Sequence, residues 1–216
     1  MNYALMIQKL INHHQFTEPL LKKELFTIGE RQNLHQDTNL IYEKQFIKWF
    51  VILLSGRVRV WQGNQEREIT LYYLQPFETC AYSVVAIQKQ YQSLVNAKIS
   101  SKRATLLKLP INKVEEWQQY PSWYKFINTT LIDKYEVLLK NIQALTLMNI
   151  EEQLIVTLQN FAKKKRSRCL LISHEFLANE IGTTREVVSR KLKKLEQQNR
   201  LQLGYKKIIL KKNHRL

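Results

Sequence analysis

Acidic residues are scarce in this chain, and so are cysteine, glycine and proline. Two cysteines in 216 residues, Cys80 and Cys169, stand far apart and make no disulfide framework. With 5 Gly, 4 Pro and 44% hydrophobic residues, the composition is that of an ordinary folded protein rather than a disordered one. No stretch approaches about 18 uninterrupted apolar residues, so no membrane span is expected. The opening MNYALMIQKLINHHQ has no basic start followed by a long apolar run and a small-residue cleavage site, so no secretory leader is expected and the cytoplasm is the default. Histidine is absent from residues 40–109, which removes the clustered His and Glu ligands of a metal enzyme built on strands. No glycine-rich phosphate loop and no nucleophile elbow occur either, so an enzyme is not expected. The length leaves room for two modest domains or one large one.

What the chain has instead is positive charge: 34 Lys+Arg against 18 Asp+Glu, net +16. Residues 149–216 hold 16 basic and 6 acidic residues, net +10, whereas the first 148 hold 18 and 12, net +6. Most of the excess therefore sits in the last third, where a polyanionic partner is the natural reading. A basic surface that serves only solubility accounts more easily for the first part.

That last third contains SHEFLANEIGTTREVVSRKLKKLEQQNRL, residues 173–201, which reads as two helices joined by a tight turn. Ser173 suits an N-cap. Phe176, Leu177 and Ile181 then carry an apolar stripe. Gly182 falls where a helix closes in the left-handed conformation. Thr183 is expected to open the second helix, with Thr183-x-x-Glu186 as a capping box. Val188, Leu192 and Leu195 mark its buried face, and small Ala178 and Gly182 allow the close crossing of a helix-turn-helix. The opposite face carries Arg185, Glu186, Ser189, Arg190 and Lys193. Arginine can grip guanine O6 and N7, and a carboxylate can accept from cytosine N4, so this face suits base reading in a major groove. Residues 201–211, LQLGYKKIILK, alternate like a hairpin turned near Gly204–Tyr205, which would form a wing with Lys206 and Lys207 near phosphates. The plainer alternative is a pair of amphipathic helices with no DNA partner, in which Glu186 is only a cap.

Upstream, residues 3–11 and 18–27 read as short helices. From about 28 to 109 short runs rich in Val, Ile, Tyr, Phe and Trp alternate between breaks at Gly29, Ser55–Gly56, Gly63–Asn64 and Pro76, which indicates a compact antiparallel barrel or sandwich. Further on, Tyr124, Asn128, Leu131, Tyr135, Leu138, Ile142 and Leu145 recur at alternating steps of about 3.5 residues, a seam sustained over some three heptads. This seam can pair two subunits or pack on its own domain. Residues 149–161 read as a helix, and KKKRSR at 163–168 as a basic loop.

TTREVVSRKLKKLEQQNRL resembles the recognition helix of the CRP/FNR transcription regulators. KWFVILLSGRVRVWQ and REITLYYLQPFETC resemble the β-roll core of the same family, and the order of elements fits over residues 20–212. The resemblance implies an α+β chain: an antiparallel β-roll (a cupin-like double-stranded β-helix) over 1–120, a long dimerisation helix over 121–147, and a winged helix-turn-helix over 148–216. Its implied partners are double-stranded DNA at a palindromic site, a second copy of the chain and RNA polymerase. One branch of the family reads its half-site with an Arg-Glu pair and a later Arg, another with E-x-x-S-R, and REVVSR satisfies both. Arg185, Glu186, Ser189 and Arg190 are thus the expected base readers, with Thr183, Lys193, Lys206 and Lys207 at phosphates. Tyr124, Leu131, Tyr135, Leu138, Ile142 and Leu145 are the expected dimer seam.

The resemblance places the effector site at Glu78, Thr79, Cys80, Tyr82 and Ser83. Phe77 stands where cyclic-nucleotide binders of the family carry glycine, and no arginine occurs between Arg67 and Arg103. Without that charge-assisted phosphate contact a cyclic nucleotide is not the expected ligand. Two cysteines exclude the iron–sulfur branch. His13, His14 and His35 are read as surface residues rather than haem ligands, and no cofactor is expected. Cys80 is read as buried and inert, with redox sensitivity as the alternative. A constitutive DNA-binding protein whose β-roll is only a scaffold stands beside the sensor reading, and a cupin-type enzyme stands behind both.

Overall fold

The computed structural model describes residues 2–63 and 68–211, with the backbone alone over 144–147. Two compact units are present: Met1–Gln62 with Leu71–Leu138, and Gly63–Thr70 with Leu139–Leu216. Among the described residues no helix is long and apolar enough to cross a membrane.

The first unit opens with helices α1 (Tyr3–His14) and α2 (Pro19–Thr27). Strands β1 (Glu30–His35), β2 (Asn39–Ile41), β3 (Phe50–Ser55), β4 (Val58–Gly63) and β5 (Glu68–Leu74) follow. Helix α3 (Ala81–Lys89) separates them from β6 (Asn96–Ile99) and β7 (Arg103–Leu109). The strands make two antiparallel sheets, ordered β1-β7-β3 and β2-β6-β4-β5. Leu53, Ala104 and Leu106 of the first sheet meet Val58, Val60, Leu74, Ala97 and Ile99 of the second, and this packing is the roll interior. The outer face of β3 and β7, with Phe50, Ile52, Leu54, Leu107 and Leu109, packs against α1, α2 and the aromatic pair Trp117 and Trp123. Burial on both faces explains why β3 reads as the continuous apolar run FVILLS, whereas β5, EITLYYL, alternates. Helix α4 (Ile111–Glu116) and one 3-10 turn then lead into α5 (Pro121–Leu147).

In the second unit, Asn149 caps α6 (Ile150–Lys165) in a reciprocal capping box with Glu152. This helix runs through Lys163, Lys164 and Lys165, so the first half of the basic loop expected at 163–168 is helix. Lysine is a good helix former and its charge suits the last turn, and the helix closes at Arg166 in the left-handed conformation. A short strand, β8 (Cys169–Leu170), precedes α7 (His174–Ile181) and α8 (Arg185–Gln197). Then β9 (Leu201–Gly204) and β10 (Lys207–Leu210) form the expected hairpin, turned at Tyr205–Lys206. Strand β8, which the sequence pattern did not disclose, adds to β10 to give the sheet β8-β10-β9. Leu154, Leu158, Leu177, Val188, Leu192, Leu195, Leu201 and Ile208 form one core beneath these elements.

Candidate nucleic-acid interface

Ser173 caps α7 through a hydrogen bond to the Phe176 N–H, and Gly182 closes it at φ +66°. The Thr183 N–H donates back to the Ala178 carbonyl at 3.0 Å, so Thr183 finishes the first helix rather than opening the second. Thr184, in extended conformation, is the N-cap of α8 and accepts from the Val187 N–H. The expected Thr183–Glu186 box is therefore replaced by a cap one residue later, because a capping side chain must reach the amide three positions on. Val188, Leu192 and Leu195 are fully buried at steps of four and three, which fixes the rotation of α8. Arg185, Glu186, Arg190 and Lys193 are exposed on the other face.

Glu186 and Ser189 are more constrained than the two arginines. The Glu186 carboxyl is held below its ordinary range by its own backbone N–H and the Thr184 hydroxyl, with the neighbouring Arg185 adding to the effect. The half-buried Ser189 hydroxyl donates to the Arg185 carbonyl at 2.8 Å and stands 2.8 Å from His174 Nδ1. Its single proton is thus committed, and toward a base it offers only an acceptor. His174 is pushed below the usual histidine range by burial and by the Arg185 charge. At the far end of α8, Lys191 and Lys194 both bind Glu151 of α6, at 2.9 and 2.7 Å, leaving Lys193 to face outward. The wing exposes Lys206 and Lys207, with the Lys206 ammonium 5.4 Å from the aromatic ring of Tyr205. Neither His174, Glu151 nor Tyr205 was singled out from the sequence. The first two act through partners 15 or more positions away, whereas an aromatic residue in the turn GYKK is a legible local signal.

A family model for the Crp-like helix-turn-helix domain matches residues 150–216. The chain carries a Crp-like helix-turn-helix domain. Solved structures similar to the whole chain give the fold. A transcriptional regulator of the crp/fnr family from Eubacterium rectale is 20% identical, with a TM-score of 0.82 and 94% of each chain covered. The c-di-GMP responsive global regulator CLP of Xanthomonas campestris is 18% identical, with a TM-score of 0.78 over 88% of this chain and 98% of that one. A CooA mutant from Carboxydothermus hydrogenoformans is 19% identical, with a TM-score of 0.69 over 95% and 91%. No curated protein sequence matches the chain. The fold is that of the CRP/FNR regulators, with an N-terminal antiparallel roll and a C-terminal helix-turn-helix.

The loop before α3, where the sequence resemblance places the effector site, has side chains largely occupied by the protein itself. Phe77 adopts φ +74°, the conformation for which the family's glycine is suited, at a cost of about 1–3 kcal/mol for a bulky residue. It is held there by hydrogen bonds from its N–H to the Leu53 carbonyl and from His14 Nε2 to its own carbonyl, the latter at 2.7 Å. His14 is therefore a half-buried structural residue packed against the tilted ring of Phe126, not a surface histidine; His13 and His35 are exposed. Burial, outweighing the Phe77 carbonyl, pushes the His14 imidazole below its ordinary value. Glu78 accepts from the Gln75 N–H and pairs at 2.6 Å with Lys134 of α5. Thr79 is fully buried and donates to the Val51 carbonyl, and the Tyr82 hydroxyl reaches the Gln92 carbonyl.

Of the five expected effector-pocket residues, only Cys80 and Ser83 line the roll's cavity of about 390 Å³; Glu78, Thr79 and Tyr82 do not. Cys80 is buried 3.4 Å from the Tyr72 hydroxyl, and burial together with that thiol pushes the phenol well above its ordinary value. Among the described residues no group of His, Cys, Asp and Glu is placed to hold a metal ion.

The seam on α5 is displaced from its expected course. Leu131 and Leu138 are half-buried against the first unit's own cores, so they do not lie on a free face. Among its described side chains, Tyr124, Ile132, Tyr135, Leu139 and Ile142 are the large exposed apolar ones. The Leu145 side chain lies outside the described residues. One stripe of this helix thus packs on its own roll and a neighbouring stripe is exposed.

Proposed function

We propose that this CRP/FNR-type DNA-binding transcription regulator works as a homodimer that reads a palindromic site with Arg185 and Arg190. The observation that carries this reading is the exposed face of α8, where two arginines and Lys193 project from a helix whose other face is locked into the domain core. Glu186 and Ser189 serve as acceptors toward exocyclic amines, while Thr183, Lys193, Lys206 and Lys207 meet phosphates. The exposed stripe Tyr124, Ile132, Tyr135, Leu139 and Ile142 supports pairing of two α5 helices, since large apolar side chains at helical spacing favour a partner helix. A two-fold pair would present two recognition helices to half-sites about 34–36 Å apart. The roll's cavity favours a gated regulator over a constitutive one. Selection of random duplex DNA on the purified protein tests the reading: an enriched palindrome supports it, and binding that is blind to sequence in the presence and absence of cell-extract small molecules refutes it.

A further inference from the structure

We infer that the roll cavity is a binding site for a small monoanion with an apolar body, its carboxylate held by Lys108. The cavity shares Cys80 and Ser83 with the cassette to which the family resemblance points, whose Glu78, Thr79 and Tyr82 are engaged elsewhere, and most of the rest of its lining comes from β1, β2, β3 and the segment 42–49. The cavity measures about 390 Å³, within the range of sites that enclose small organic molecules. Its walls are mainly apolar, with Leu34, Val51, Leu53, Leu74 and Leu106 among them. Lys48 and Lys108 also line it, and no Asp or Glu is among its described lining residues. An apolar chamber lined by two lysines, with Glu30 paired to Lys108 from outside the lining, suits an anion better than a cation.

Lys108 holds its place by strand register rather than by chance exposure. It stands opposite Val51 on one side and Glu30 on the other, two positions along from Leu106, which stands opposite Leu53 and Gln32. Alternation in a strand therefore turns Lys108 to the same side as Leu106 and Ala104, which belong to the roll interior. A lysine on an inward face of a sheet is unusual unless something inside meets its charge. Its ammonium lies 4.2 Å from the Trp49 ring and 3.6 Å from Glu30, whose side chain is 60% exposed. An exposed partner at that distance holds the charge weakly and is readily exchanged for a ligand anion. One ammonium, without an arginine fork, matches a single carboxylate better than a phosphate. Tyr42, Phe46 and Trp49 at the cavity's rim are exposed aromatic residues that an apolar ligand would cover.

That this site gates DNA affinity rests on the regulator reading; the binding itself does not. Calorimetric titration of the full chain with octanoate, and with octan-1-ol as its neutral counterpart, tests it. Octanoate is expected to bind at least tenfold more tightly than the alcohol, and Lys108→Met to reduce octanoate to the level of the alcohol. Leu53→Trp, which fills the chamber, is expected to abolish both, with tryptophan-fluorescence melts confirming that each variant is folded. Equal affinity for acid and alcohol, no octanoate binding, or full binding by folded Lys108→Met overturns the inference. DNA affinity measured on the same preparations separates the two readings: octanoate binding that persists in a chain without sequence-specific DNA binding supports the site and refutes only the regulator.

Discussion

The Glu78–Lys134 pair joins the loop before α3 to the long helix, and its two ends are unequally buried. The Lys134 side chain is 8% exposed and that of Glu78 35%, with the ions 2.6 Å apart. Removing the carboxylate strands an ammonium inside the fold, 5.5 Å from the Tyr72 ring. Leaving a buried charge uncompensated costs roughly 3–5 kcal/mol, so Glu78→Ala is expected to destabilise the first unit by about 3 kcal/mol. Removing the ammonium is milder, because Glu78 can turn to water and keeps its bond from the Gln75 N–H. Lys134→Met, which preserves the stem's packing, is expected to cost about 1 kcal/mol, in the range of a partly exposed pair. The double variant should cost less than the sum, since the stranded ion is gone. Trp49, Trp61, Trp117 and Trp123, the four tryptophans of the chain, all lie in the first unit. Denaturant titration followed by tryptophan fluorescence therefore reports this unit alone. Equal costs for the two single variants, or a larger cost for Lys134→Met, would refute the burial argument.

Three further outcomes are expected. Arg190→Ala should cost about 1–3 kcal/mol on the selected site and relax preference at one base position, whereas Lys206→Ala should weaken all sequences alike and lower the salt slope by roughly one; binding titrations at several salt concentrations distinguish them. Burial holds His14 below its ordinary value, so the unfolded chain takes up this proton first as pH falls. The first unit should keep its full stability above about pH 6.5 and lose it progressively below, with His14→Gln flattening that decline in fluorescence-monitored titrations. Ile132→Glu, on the exposed stripe, should shift the chain to monomer in sedimentation without lowering the first unit's melting point, while Leu138→Ala, packed against the roll, should lower that melting point and leave association intact.

What was legible in the sequence is what neighbouring residues settle among themselves. The spacing of Val188, Leu192 and Leu195, the Ser173 cap and the left-handed Gly182 define two crossed helices because each rule acts within about one helical turn. The long helix was equally readable from its period. Thr183 and Thr184 were not distinguishable, because two adjacent threonines offer the same side chain and only the amide that Thr183 returns to Ala178 decides which one caps. The α5 seam shows the limit of periodicity: steps of three and four fit Leu131 and Leu138 as well as Ile132 and Leu139, and only the roll against which the helix lies selects the buried stripe. Glu78 with Lys134, His174 with Ser189, and Lys191 and Lys194 with Glu151 meet across 56, 15 and 40 or more positions. No local propensity links such partners. The inward turn of Lys108 belongs to the same class, since a strand's alternation tells which residues share a face but not which face is enclosed. Sequence alone determined most of the elements and the chemistry they carry; tertiary structure decided which of those charges were already spent within the fold and which were left exposed.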